Sequence, residues 1–444
     1  MAEAAGRTAV PRLHAGLLIG VATLILVFQV YVSISFGLIH GPMSRELGLS
    51  AGTASTISAL YMAAGFLLQL PAGIAVDRLS PARVLALATL LCAAGSLVLA
   101  AAQSMPVALA GSLAMGSGAA FAFVGALKIV GIVVPPDRFV LWVGVWQILY
   151  SFVVAGLAYG TNALGAETDW RGLLVGIAAA GTATAALIWL ADRVLPRSAD
   201  GPAAGAPAAP IWQQVRATLA NRQVLLAAAL FALTFGPMLA YSDLWAVPAQ
   251  LAFGNPPAIA AAIAGMIPIG LGAGSLLVGL ASERTGRPAP IGAAVAATGL
   301  AATAALLFLP PQPAWAAALL TLLFGVGCAA SVTAIDHARR TATAGIGTAI
   351  GLVSAAGNLG GALLQVQIGL LVDGLEKDRT PGILVFEESL SPLLICFALA
   401  IVLMAALRRP RTPAGSPGSG PRSGPRSRPH SRPGGRVDSA ADHP

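Results

Sequence analysis

Twelve stretches of about twenty mainly apolar residues run through the sequence, each closed by charged, proline-rich or polar punctuation. They occupy roughly residues 13–39, 53–76, 82–102, 107–134, 139–163, 172–191, 224–248, 258–281, 289–309, 314–335, 345–372 and 389–407. A run of this length spans a hydrocarbon core of ~30 Å, and backbone inside lipid must bond to itself, which leaves helices or closed barrels. Barrel strands alternate apolar and polar residues, whereas blocks such as Leu85–Leu91, with Thr89 their one polar side chain, show no such alternation. The expected fold is therefore all-α and membrane-embedded, with twelve transmembrane helices. The first run is longer than a cleaved secretory segment of about 7–15 residues and reads as a retained span.

Composition agrees. Hydrophobic residues make up 57% of the chain and charged residues 10%, against about 25% charged in soluble domains. The formal charge of +8 is concentrated in the tail, where eight arginines face two aspartates from Arg408 onward. A body so nearly neutral excludes nucleic acid as a partner. Cys92, Cys328 and Cys396 all lie inside apolar runs, so neither a disulfide framework nor a metal site is expected. No phosphate-binding loop and no paired catalytic groups occur, so no cofactor, no ATP-driven step and no enzymatic activity are expected.

Basic residues set the orientation. With the N-terminus in the cytoplasm, the inner segments hold thirteen arginines, while the outer loops hold Arg45, Arg171, Lys377 and Arg379. Cytoplasmic loops are enriched in Lys and Arg, so both termini are expected inside, in a multi-pass protein of the cell (inner) membrane. The chain divides into a cytoplasmic N-terminus (1–12), six spans (13–191), a cytoplasmic linker (192–223), six further spans (224–407) and a basic tail (408–444). The linker opens with a Pro/Ala/Gly stretch, and Trp212, Val215 and Leu219 then come at helical spacing, as in a short interfacial helix. The Pro/Gly/Ser/Arg-rich tail cannot bury a core and is expected to be disordered.

A repeat links the halves. Gly73 is followed by Asp77, Arg78 and Arg83, and Gly279 by Glu283, Arg284 and Arg287, 206 residues later. Arg138 precedes Gly144 by six residues, and Arg339 precedes Gly345 by six, 201 residues later. Two matches at equivalent topological places point to duplication, hence two pseudo-symmetric six-helix halves. A glycine near a helix end admits another backbone closely, and an acid there can face the positive N-terminus of a neighbour. Such contacts would hold in one conformation and part in another. These residues are therefore candidate conformational latches.

With twelve spans split six and six, these motifs resemble the major facilitator superfamily over about residues 13–407. Gly73 matches that family's glycine, Asp77 its acid, and Arg78 and Arg83 its basic positions, with Ser80-Pro81 replacing the usual following glycine. The resemblance implies two halves rocking about a central site. Weaker similarity joins Tyr61, Gln69, Pro71 and Gly73, Phe121 to Lys128 with Arg138, and Gly357, Asn358 and Gln365 to the branch holding phagosomal amino-acid, lysosomal dipeptide and organic-anion transporters.

Two charged residues fall inside spans away from their ends, Lys128 and Asp243. A charge there costs at least ~2.5–3.5 kcal/mol and normally faces a wet cavity or a partner. Lys128 either holds an anionic substrate or snorkels, and Asp243 is either functional or a solvated helix end. Gly236 and Pro237 are expected to break the seventh span. Gln29, Ser33 and His40 share one face of the first span, His40 being either a titrating or an interfacial group. Gln147, Tyr241, Asn358 and Gln365 are further cavity candidates, with helix-to-helix hydrogen bonding the other use for such amides. The expected function is secondary active transport by alternating access of a small polar, carboxylate-bearing solute (an amino acid, small peptide or organic anion), driven by a proton or a substrate gradient, with lipids as neighbours. Drug or metabolite efflux by antiport, or a non-transporting membrane sensor on the same fold, are the alternatives.

Overall fold

The computed structural model describes residues 12–49, 51–135, 138–163, 169–193, 210–310, 312–378 and 383–407. The N-terminal residues 1–11, most of the linker's Pro/Ala/Gly stretch and the tail from 408 lie outside them. Every described regular element is helical. In the first half these are α1 (Arg12–Glu46), α2 (Ala51–Leu67), α3 (Gln69–Arg78), α4 (Pro81–Ala100), α5 (Met105–Val133), α6 (Phe139–Ala163) and α7 (Trp170–Asp192). The linker contributes α8 (Ile211–Ala220), and α9 (Arg222–Ala240) comes next. A π-helical turn (Tyr241–Trp245) leads into α10 (Ala246–Ala252), α11 (Pro257–Ala264), α12 (Met266–Thr285) and α13 (Pro288–Phe308). The chain closes with α14 (Ala314–Cys328), α15 (Ser331–Thr341), α16 (Ile346–Asp378), α17 (Ile383–Ser389) and α18 (Pro392–Ala406).

All twelve apolar runs of the sequence are helical. Among the described residues, nine helical segments are long and apolar enough to cross a membrane, or ten when α2 and α3 count as one span bent by 43°. Apolar stretches in α1 and α6, Ile19–Ser33 and Phe139–Val153, are shorter. Prolines explain two interruptions inside the runs. Pro71 has no N–H for the Leu67 carbonyl, and Pro268 none for that of Ala264, and α2 and α11 each end at that acceptor residue. The seventh run behaves differently from expectation. Pro237 stays inside α9, and the irregularity lies four residues later, in the π turn that contains Tyr241 and Asp243. A π turn shifts the register of the residues after it while keeping the helix continuous.

The helices of the two halves meet along two seams built from glycine. In the first, α3 crosses α16: a Cβ on Gly347 would lie 2.6 Å from the Gly73 carbonyl oxygen, and one on Gly351 2.5 Å from that of Gln69. In the second, α6 lies along α12: a Cβ on Gly279 would meet the Leu141 Cα at 2.5 Å, and one on Gly272 the Ile148 Cα at 2.7 Å. Backbone rests on backbone in both seams, as small residues allow at membrane helix interfaces. This proximity positions the charged groups at the helix ends.

At the other end of the bundle, Glu46 closes α1 onto α7. It accepts from the Trp170 indole at 2.6 Å and from Arg171 Nη2 at 2.9 Å, and these bonds hold its carboxyl below the usual carboxylate range. Arg171 also donates to the Ala102 carbonyl at 2.8 Å, so this clamp ties together segments of the first half alone.

The glycine seam yields a direct expectation. Gly347→Ala should cost about 1–3 kcal/mol by forcing α3 and α16 apart. Gly176→Ala, at a site with nothing within 4 Å, should be neutral or slightly stabilising. Thermal unfolding of the purified variants checks this, with a fall of several degrees expected for the first alone.

Candidate functional site: a charged latch between the halves

Asp77 stands in the last turn of α3, and its carboxylate abuts the first turn of α16. Its Oδ1 accepts from Lys128 Nζ at 2.9 Å and from the Gly347 N–H at 2.8 Å. Its Oδ2 accepts from the Thr348 N–H at 2.8 Å, the Thr348 hydroxyl at 2.9 Å and Gln214 Nε2 at 3.3 Å. The first N–H groups of a helix have no acceptor within that helix. Asp77 therefore caps α16 from another helix, and its charge meets the positive end of that helix's dipole. Five donors converge on two oxygens that offer about four lone-pair sites, so the carboxylate is fully satisfied.

The sequence supplies the room for this contact. A Cβ on Gly345 would lie 2.5 Å from Gln214 Nε2 and 3.0 Å from the Asp77 Cγ, so any larger residue would displace the carboxylate. Asp77 is only 7% exposed and Lys128 13%. At that burial, removing one charge leaves its partner without compensation, a loss of about 3–5 kcal/mol for a fully buried pair. Gln214 extends the network to the linker, donating to the Thr348 hydroxyl at 2.7 Å and accepting from Arg78 Nε and Nη2, both at 3.2 Å.

The second copy of the motif makes a weaker contact. Glu283, at the end of α12, pairs with Arg138 at the start of α6 at 3.2 Å, but the two side chains are 32% and 59% exposed. Exposed pairs contribute about 0–1 kcal/mol. Beside them, Arg339 lies 4.1 Å from the centroid of the Phe139 ring and bonds to the buried Asp336 at 3.2 Å. Arg340 reaches the other oxygen of Asp336 at 2.7 Å. Arg83 pairs with Asp192 at 2.8 Å, and the Ser80 hydroxyl donates to the same carboxylate. Arg284 and Arg287 are exposed.

The cavity candidates fall into separate groups. Gln29 Nε2 donates to the Tyr61 hydroxyl at 2.5 Å, and the Ser33 hydroxyl lies 2.8 Å from it. That polar cluster joins α1 to α2, and Phe36 covers the Tyr61 ring at 4.6 Å. In the second half, Gln365 Nε2 donates to the Leu239 carbonyl at 3.2 Å, a helix-to-helix bond, and Asn358 bonds within its own helix to Ser354. Tyr241 is buried edge-on against Phe324 at 5.2 Å, and Gln147 is half-buried in α6. The side chains of His40 and Asp243 lie outside the described residues. Lys128 occupies a place that neither sequence reading named: its ammonium is engaged with Asp77 at the latch, with a carboxylate as its partner instead of lipid phosphate or open cavity. Sequence reasoning missed Gln214, Thr348 and Asp336. Only Thr348 carried a signal, a hydroxyl three residues after the glycine that precedes a helix.

Unequal burial predicts unequal consequences. In a protein carrying Ile350→Cys, a buried position beside the latch, Asp77→Asn should raise the cysteine's reaction rate with a water-soluble thiol reagent at least tenfold, because hydrogen bonds to a charged group are worth about 1.5–3 kcal/mol. Glu283→Gln should raise it by no more than about fivefold.

Comparison with known proteins places the chain in a family. The family model of the Major Facilitator Superfamily matches residues 19–365. The probable nitrate/nitrite transporter NarK2 of Mycobacterium tuberculosis (strain ATCC 25618 / H37Rv) is 28% identical over 371 residues, which cover 78% of this chain and 87% of that protein. Among solved structures, the transporter FucP in its outward conformation aligns with a TM-score of 0.65 at 16% identity, covering 88% of this chain and 99% of that one. The proton:xylose symporter XylE aligns at 0.66 and 14%, covering 88% and 95%. At such identities the likeness to the solved structures is one of fold.

Proposed function

The chain belongs to the major facilitator superfamily, and from that premise we propose that it is a secondary active transporter working by alternating access, with its Asp77 end closed in this conformation. The observation that carries this reading is the convergence on Asp77 of donors from α5, α8 and α16. Rocking the halves apart at this end would strip the carboxylate of the two α16 amides at once, so the contact belongs to one state of a two-state element. The excess of arginines in the loops at this end supports its lying in the cytoplasm, with both termini on the same side.

The transported solute is a small planar oxyanion, either a carboxylate or nitrate. The likeness to NarK2, named as a probable nitrate/nitrite transporter, supports an anion, and nitrate and carboxylate share planar, multidentate acceptor geometry. Lys128 is the intramembrane cation that would receive it. In the closed state Asp77 occupies its ammonium, and opening the latch releases the ammonium to a ligand. Asp77 thus acts as a built-in competitor for the anion.

Opposite effects of two substitutions test this. Ligands that bind only the folded state raise its stability, so melting temperature of purified protein against nitrate, acetate and an amino acid reports affinity. Asp77→Asn, which frees the ammonium, should tighten anion binding. Lys128→Met should weaken it by about thirtyfold or more, as expected for losing one partner of a buried charge pair. Were Lys128 only a latch residue, both variants would change affinity in the same direction.

A further inference from the structure

The linker helix α8 presents its faces in an unusual order. Its buried residues are polar, Gln214 and Thr218. Its apolar residues face outward: Trp212 is 72% exposed, and Ile211 and Leu219 are exposed as well. At about 100° per residue, Ile211, Val215, Leu219 and Trp212 fall within about 100° of arc, and Arg216 comes directly beside Trp212. A helix next to water would present the reverse pattern. Tryptophan beside arginine, on an apolar face flanking a bundle of spans, fits the headgroup layer of a bilayer.

The inward face of the same helix enters the latch. Gln214 bonds to Arg78 and Asp77 of α3 and to Thr348 of α16, so one amide touches both halves. When the halves separate at this end, that amide must release one of them. Whatever holds α8 in place therefore biases the conformational equilibrium. We propose that α8 is a membrane-attached strap: its outward face rests on the anionic surface of the adjoining leaflet, and this attachment stabilises the closed latch through Gln214. Lipid composition then becomes a regulator of the transport cycle. The proposal rests on the alternating-access reading above. Each arginine close to an anionic surface is worth about a fivefold bias, and Arg216 and Arg222, both exposed, flank the helix's outer half and its end.

The distance between spin labels at Leu79→Cys and Thr343→Cys, in nanodiscs of phosphatidylcholine with or without phosphatidylglycerol, tests the strap. Both positions are exposed on either side of the latch, and the native cysteines are buried. The anionic lipid should shift the population toward the short distance by about fivefold or more. Trp212→Ser with Arg216→Gln, a surface change that leaves packing intact, should remove that shift. Gln214→Ala should remove it while leaving α8 on the membrane. A lipid response unchanged in these variants, or absent from the unsubstituted protein while Asp77→Asn still lengthens the distance, would overturn the strap alone. No lengthening in Asp77→Asn would overturn the alternating-access reading and the strap with it.

Discussion

One carboxylate organises the junction between the halves. Asp77 takes backbone N–H groups from the first turn of α16, an ammonium from α5 and an amide from the linker helix. A charge this buried is tolerated only when its acceptor capacity is filled, and filling it requires three elements to arrive together. The glycines of the α3–α16 seam and Gly345 answer that requirement. Without Gly73, Gly347 and Gly351 the helix backbones could not approach, and without Gly345 the carboxylate could not reach the amides. The contact depends on this arrangement of the helices, and under the alternating-access reading proposed above it would be lost when the halves part.

The duplicated motif has diverged in strength. Asp77 faces amides and a lysine in a nearly dry setting, whereas Glu283 meets Arg138 at the exposed rim. The seams beside them are similar, glycine on backbone in both, so the difference lies in the electrostatics. Coulombic pairing at the rim is screened by water and salt, while a helix terminus with unpaired N–H groups offers an anion a site that water fills poorly. In this conformation the Asp77 contact is therefore the stronger of the two, and the Glu283 contact the weaker. Asp336 stiffens the second site by binding Arg339 and Arg340 while the Arg339 guanidinium lies over Phe139.

Legibility in the sequence depends on how local the physical cause is. Helices were legible because lipid forces every backbone group to bond within its own segment, so length and apolarity suffice. The latch was legible in part: an acid after Gly73 at a helix end anticipates a neighbour's N-terminus, and α16 supplies it. The partner of Lys128 was not, because Asp77 lies 51 residues away and only packing of α5 against α3 joins them. Gln214 was invisible for the same reason; on its own helix it reads as one more polar residue. The irregularity of the seventh span lies at Tyr241–Trp245, after Gly236 and Pro237, with Pro237 held inside α9.

Amide hydrogen exchange at Gly347 and Thr348 is the measurement closest to the Asp77 contact. First-turn amides of a helix have no intrahelical acceptor and ordinarily exchange fast, so protection at these two reports Asp77 itself. Slow exchange is expected at both in the unsubstituted protein and fast exchange in Asp77→Ala, which removes both acceptor oxygens, with amides in the middle of α16 unchanged. Fast exchange at Gly347 and Thr348 in the unsubstituted protein, or protection that survives loss of the carboxylate, would contradict that contact.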